Sequence, residues 1–178
     1  MTERELPVTD AGPEGAGATP VLSFAERVRL GEGTADLLVF RVGGELFAAS
    51  LAAVEEALEL PQLSAIPEMS RSMLGVVTLR GRMLPAYSPA RPLGVVLERE
   101  DAAALVLRAG ERRIALAVDD VDDVFALDLA TLQPAPAVGS DRDALLVGVA
   151  RRGTDLVAVL DAEALVTACL TDQAQETA

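Results

Sequence analysis

The sequence predicts a mainly β protein assembled from two copies of a small module of about five short strands. Three observations predict it. Apolar residues make up 51% of the 178-residue chain, yet they fall in short runs that alternate with polar residues, the period of a strand. LVFRVGGELFAA at 38–49 lines up without a gap against LVLRAGERRIAL at 105–116, an offset of 67, so that Arg41 meets Arg108, Gly43 meets Gly110 and Phe47 meets Ile114. GVVTLRGRMLPAYS at 75–88 echoes GVARRGTDLVAVLD at 148–161, an offset of 73, chiefly through Gly75 and Gly148 and the apolar alternation after them. Two copies at this period are too few and too long for a solenoid. One such module is too small to stand well alone, so two that close into barrels and share a core form the natural arrangement.

The elements follow in order. Residues 1–20 are rich in Gly and Pro, carry no apolar period and read as a disordered tail. Residues 21–35 read as a short helix and a linker. Ser23 and Glu26 have the spacing of a capping box, Gly31 is placed to stop the helix, and Phe24 and Val28 lie four apart on one face, ready to dock. The body spans 36–170, in approximate halves 36–98 and 103–165. In the first half, Leu37 to Val42 turns at Gly43-Gly44 and resumes at Leu46-Phe47, a hairpin signature. Ser50 to Leu58 (SLAAVEEAL) reads as a short helix, and Val54-Glu55-Glu56 meets Val121-Asp122-Asp123 of the second copy. The last apolar strand, Leu156 to Leu160, runs into a helix from Asp161, and 171–178 read as a flexible C-terminal tail.

Composition excludes more than it permits. There is no histidine, lysine, asparagine or tryptophan, and all 15 basic residues are arginine. A Ser-His-Asp triad, a Cys-His pair and an imidazole-bound zinc are ruled out. So are a phosphate-loop lysine and a Schiff base. Arginine stays protonated and cannot serve as a base. A carboxylate-pair hydrolase is compatible with what remains, but such enzymes line their sugar clefts with aromatics, and this chain has one Tyr and four Phe. The reading is therefore no enzyme, no cofactor and no metal. The net charge of −13 repels nucleic acid and anionic membranes and favours partners with basic patches. No run approaches the roughly 20 apolar residues of a membrane helix. The acidic N-terminus is unlike a signal peptide, and the single Cys169 forms no internal disulfide. The expected location is cytoplasmic.

From Leu37 to Leu165 the chain resembles the CheW-like coupling proteins of bacterial chemosensory arrays. The most specific match is Gly75-Val-Val-Thr-Leu-Arg-Gly81 followed by Met83-Leu84-Pro85, which resembles the family's G-V-I-N-L-R-G-x-x-x-P segment. Val54-x-Glu56, the run Ile114 to Val121 with Val124, and Leu132-Gln133-Pro134-Ala135-Pro136 match in the same order. The resemblance implies two five-stranded SH3- or OB-like β-barrel subdomains, related by a pseudo-twofold duplication and carrying short helices, without catalytic activity. It implies two partners at receptor arrays: the cytoplasmic signalling hairpin of a chemoreceptor, and the regulatory domain of a CheA-type histidine kinase. Pro85-Ala-Tyr-Ser88-Pro89-Ala90 departs from the family's P-x-x-D-L-R, and Thr78 stands where asparagine is common. A divergent paralogue of a non-flagellar pathway that has lost one interface is the alternative within the family. Outside it stand the carboxylate-pair hydrolase and a plain β-domain regulating an unrelated enzyme.

Five residues are the candidate partner-binding set. Arg80 falls where the family places a partner-facing arginine, and arginine is favoured as an interface anchor; its ordinary reading is a strand-end surface residue. Glu56 falls at the V-x-E position and reads equally as a solvated face. Val54, Val77 and Leu79 accompany them, although apolar residues in such runs more often line a core than a groove. The aspartates at 119, 120, 122 and 123 lack the glycine and terminal glutamate of a calcium loop and read as a solvated acidic edge. Cys169 reads as a buried thiol on an apolar helix stripe.

Overall fold

A computed structural model describes residues 21–67, 71–98 and 103–174. The expected tail at 1–20 lies outside the described residues, as does the end of the expected C-terminal tail at 175–178.

The chain opens with α1 (Phe24–Leu30). It then forms β1 (Thr34–Val42), β2 (Glu45–Ser50), β3 (Val54–Leu58), β4 (Met73–Leu79) and β5 (Arg82–Tyr87), followed by the one-turn α2 (Ala90–Leu93). The second copy supplies β6 (Ala103–Ala109), β7 (Arg112–Val118), β8 (Asp120–Asp128), β9 (Leu146–Arg152) and β10 (Asp155–Leu160), and α3 (Ala162–Ala174) closes the chain. Four two-residue hairpins join β1 to β2, β4 to β5, β6 to β7 and β9 to β10. Their turns sit where the sequence places Gly43, Gly81, Gly110 and Gly153.

The ten strands form two five-stranded sheets, ordered β8-β1-β2-β10-β9 and β3-β6-β7-β5-β4. Advancing each strand of the second sheet to its repeat partner reproduces the first sheet, so the duplication read from the sequence is the duplication of the fold. The copies are interleaved, however. The chain leaves the first sheet through a 3-10 turn at Leu51–Ala53 and returns to it at Asp119. The second sheet is therefore continuous in sequence, over 54–118, while the first takes β1 and β2 from one copy and β8, β9 and β10 from the other. We refer to them as barrels A and B.

Each sheet is drawn toward closure by one bridge beyond its named strands, Gln133 with Val149 in barrel A and Ser64 with Val76 in barrel B. Both bridges make two backbone hydrogen bonds of 2.8–3.0 Å. The glycines that carried the second repeat explain why they form. A Cβ on Gly148 would stand 2.7 Å from the Gln133 carbonyl oxygen and 2.6 Å from Leu132 Cγ, and a Cβ on Gly75 would stand 2.6 Å from the Ser64 carbonyl oxygen. Only glycine admits that approach.

Alternation along the strands sorts the core into three parts. Val39, Ala48, Ala150, Val157 and Val159 fill barrel A, and their repeat partners Val106, Ala115, Val77, Leu84 and Ala86 fill barrel B. The opposite faces meet between the barrels. Phe40 and Phe47 from one side, and Leu105, Leu107, Ile114 and Leu116 from the other, form the largest cluster, closed by Leu165, Val166 and Cys169 of α3. Neither barrel covers this face without the other, which is why the fold needs both copies.

Helix α1 forms as its signals require. Ser23 and Glu26 make a reciprocal capping box, and Gly31 ends the helix in the left-handed conformation. It docks through Phe24 and Val28 on the end of barrel A beside Leu129. Three expectations are corrected. SLAAVEEAL is no helix: its first half is the 3-10 crossover and Val54–Leu58 is strand β3, paired with β6. Alanine, glutamate and leucine favour a helix locally, but Val54 joins the shared core opposite Leu107, and tertiary pairing wins. At the other end, α3 runs past the expected limit of 170 to Ala174. Asp119 also departs from the solvated acidic edge. It is 7% exposed and accepts the Gly43 N–H at 2.6 Å, which pins the first hairpin turn to the crossover between barrels.

Candidate functional site

The hairpin of β4 and β5 brings the candidate residues to one end of barrel B. From Gly75 onward strand β4 alternates, so Val77 points inward at 2% exposure while Thr78 is exposed. Leu79 faces inward again and is half-buried against the barrel core. The chain then turns at Arg80-Gly81. Here the local structure is unusual: Arg80 has φ 49°, the one non-glycine residue in the left-handed region among those described. Its repeat partner is Gly153, and Gly43 and Gly110 hold the same place in the other two hairpins. Three turns use the residue without a Cβ, whereas the fourth holds an arginine in a conformation that costs it about 1–2 kcal/mol. Strain of this kind persists where function keeps the side chain.

The Arg80 guanidinium projects from the turn, its side chain 79% exposed, and donates to Glu56 Oε1 at 2.9 Å. Glu56 reaches it because β3 is bulged. Val54 pairs with Leu107, but Glu56 pairs with the next residue, Val106, so Glu55 is an extra residue in the strand. Val54 consequently packs into the shared core, while Glu55 and Glu56 both meet arginines at the barrel mouth. Arg113 Nε donates to Glu55 at 2.7 Å, its Nη2 bonds the same oxygen, and Arg108 stands 3.8 Å from Glu55. The mouth encloses a pocket of about 270 Å³, walled by Leu79 and Leu84 and rimmed by Glu55, Glu56, Arg80, Arg82 and Arg113. Beside it, on the outer face of the hairpin, Met83 is 78% exposed.

Of the five candidates, Arg80 and Glu56 come together as a surface ion pair with Leu79 behind them. Val77 and Val54 face the interior of barrel B and the shared core respectively. Sequence reasoning missed Glu55, Arg82, Arg108, Arg113 and Met83. The repeat finds two of them, since Arg82 meets Asp155 and Arg113 meets Leu46 in the other copy, whereas Glu55, Arg108 and Met83 meet residues of the same character and carry no such signal.

Chemically the mouth is an ion-pair cluster. Glu55 and Glu56 are neighbouring carboxylates, but each is held by an arginine rather than facing the other across a cleft, which is not the layout of an acid–base pair. Cys169 is fully buried, and burial pushes its thiol up to about 12, so it presents no nucleophile. Among the described residues no group of three or more Cys, Asp or Glu is placed to hold a metal ion. Nor is any described helix long and apolar enough to cross a membrane.

Residues 36–169 match the family model described as the CheW-like domain. The chain is 29% identical over 147 residues to a probable chemotaxis protein CheW of Rhizobium etli, covering 81% of this chain and 94% of that protein. It is 33% identical over 105 residues to protein PilI of Pseudomonas aeruginosa, covering 54% and 59%. The crystal structure of the scaffolding protein TtCheW from Thermoanaerobacter tengcongensis superposes with a TM-score of 0.67 over 75% of this chain and 88% of that one, at 20% identity, and so shares the fold.

Proposed function

This chain belongs to the CheW-like family, and from that premise we propose that it is a non-catalytic chemotaxis coupling adaptor. Its partners on this reading are the cytoplasmic signalling hairpin of a chemoreceptor and the regulatory domain of a CheA-type histidine kinase, met in the cytoplasm at receptor arrays. Arg80 is the anchor for one of them, with Glu56 holding its guanidinium and Leu79 bracing the turn. Val54 and Val77 contribute indirectly, by fixing the β3 bulge and the β4 strand from inside.

The observation that carries the site assignment is the backbone of Arg80. A strained, exposed arginine at a turn where the other three hairpins use glycine brings the fold no net gain, since its one ion pair is a surface pair. Met83 beside it adds an exposed apolar contact, and an apolar residue next to an arginine is the usual composition of an interface centre. Each contact on so small a surface is weak, and array function follows from many contacts made together.

The test is a pull-down of the full chain against the two candidate partners from the same genome, wild type beside Arg80→Glu. The wild type is expected to bind both, and the variant to lose the receptor hairpin. Binding to neither partner would sink the adaptor assignment.

A further inference from the structure

The two barrels are built from the same repeat, so their mouths can be compared residue by residue. At the mouth of barrel B stand Arg80, Arg82, Arg108 and Arg113 with Glu55 and Glu56. At the repeat-equivalent places of barrel A stand Gly153, Asp155, Arg41 and Leu46 with Asp122 and Asp123. Leu79 of barrel B corresponds to Arg152, which pairs with Asp122 at 2.6 Å. Each barrel thus keeps one arginine on its bulge carboxylate, Arg113 on Glu55 and Arg152 on Asp122, drawn from different strands. The remaining charge has diverged. Barrel B holds four arginines against two glutamates, while barrel A holds two arginines against three aspartates. An excess of positive charge in one pocket of a chain of net charge −13 stands against the composition.

The arginines of barrel B are not equally engaged. Arg113 and Arg80 are hydrogen-bonded to glutamates, and Arg108 lies near Glu55. Arg82 lines the same pocket, yet makes no ion pair or side-chain hydrogen bond among the described residues. A guanidinium with no carboxylate of its own, at a mouth of net positive charge, offers free N–H donors to an anion. We infer that the mouth of barrel B receives a carboxylate side chain of a partner protein, with Arg82 as the residue that grips it and Arg80 turning from Glu56 to share it. A planar guanidinium fork matches a carboxylate in two hydrogen bonds, which supplies direction as well as charge. The pocket, at about 270 Å³, admits one side chain. Extended polyanions are disfavoured because the rest of the chain repels them. This inference rests on the partner-binding reading of the mouth and adds the chemistry of what enters it.

A rhodamine-labelled alanine peptide carrying one central glutamate, titrated into the full chain at 0.1 M salt and followed by anisotropy, tests the pocket without any assumption about partners. Wild type is expected to bind, Arg82→Gln several-fold more weakly and Arg82→Glu at least tenfold more weakly. Arg151→Glu on barrel A makes the same charge change away from the pocket and is expected to stay within twofold. Raising the salt should weaken the wild type more than Arg82→Glu. No binding by wild type, or equal losses for Arg82→Glu and Arg151→Glu, overturns the inference. The same variants are then titrated with the kinase regulatory domain and the receptor hairpin. Parallel loss of one of them identifies the acidic partner. Peptide binding that persists while wild type binds neither domain leaves the pocket standing and refutes the adaptor reading instead.

Discussion

Replacing Arg80 by glycine separates what the residue does for the fold from what it does for a partner. At φ 49° the arginine sits in a region that glycine enters freely, so the change relieves about 1–2 kcal/mol of backbone strain. Against this stands the ion pair with Glu56, which is exposed on the arginine side and therefore contributes only about 0.2–1 kcal/mol. Glycine also gives the unfolded chain more freedom, a further loss of about 0.4–1 kcal/mol. The three contributions cancel to within roughly 1 kcal/mol, and for a chain of this length the melting temperature should move by less than about 4 °C. Binding should respond quite differently. Truncating an interface-anchor arginine costs about 2 kcal/mol, a fall of roughly 30-fold in affinity. Urea denaturation and titration with the receptor hairpin, on the same preparations, read the two quantities. A stability loss well above 1 kcal/mol would show Arg80 to be a structural residue. Unchanged binding would remove it from the interface, and either result refutes the argument from strain.

Further outcomes follow from the same geometry. Gly148→Ala forces a Cβ into contact with Leu132 and the Gln133 carbonyl, so overpacking and the strained bridge should cost about 2–4 kcal/mol in urea denaturation. Gly153→Ala, with nothing within 4 Å of its new Cβ, should cost only the left-handed penalty of about 1–2 kcal/mol; equal losses would show that the bridges do not hold the barrels closed. The Cys169 thiol keeps its proton when folded up to about pH 12 but loses it near 9.0 when unfolded. Stability is therefore complete below pH 9 and falls above it, by up to about 1.4 kcal/mol per pH unit. Denaturation at pH 8 and pH 10 should show a larger loss for wild type than for Cys169→Ala. Phe24→Ala should cost about 1 kcal/mol, since α1 buries no residue fully and rests on two half-buried side chains. It should leave partner titrations unchanged, and a change in affinity would give α1 a part in binding.

The misread segment and the site residues show where the sequence stopped being legible. Ser50–Leu58 has the composition of a helix, and only its partner β6 makes part of it a strand. The bulge that sends both Glu55 and Glu56 to the mouth is a matter of register between strands far apart in the chain. A list of residues carries no register. Arg82 and Arg113 look like ordinary surface arginines until the hairpins of β4–β5 and β6–β7 are placed at the same end of one sheet.

By itself the sequence determined the module and its duplication. Gly75 and Gly148, the hairpin turn at Gly43-Gly44, the apolar alternation and the capping box at Ser23 are local requirements written residue by residue, and the turn and the capping box formed where they were read. It also determined the absence of histidine and lysine chemistry. Tertiary structure alone decided that β1 and β2 of one copy join β8, β9 and β10 of the other. Two similar copies offer equivalent pairing surfaces, and nothing local distinguishes a partner in the same copy from one in the other. Burial of the face between the barrels settles the choice, and it places Arg80, Arg82 and their neighbours at a single mouth.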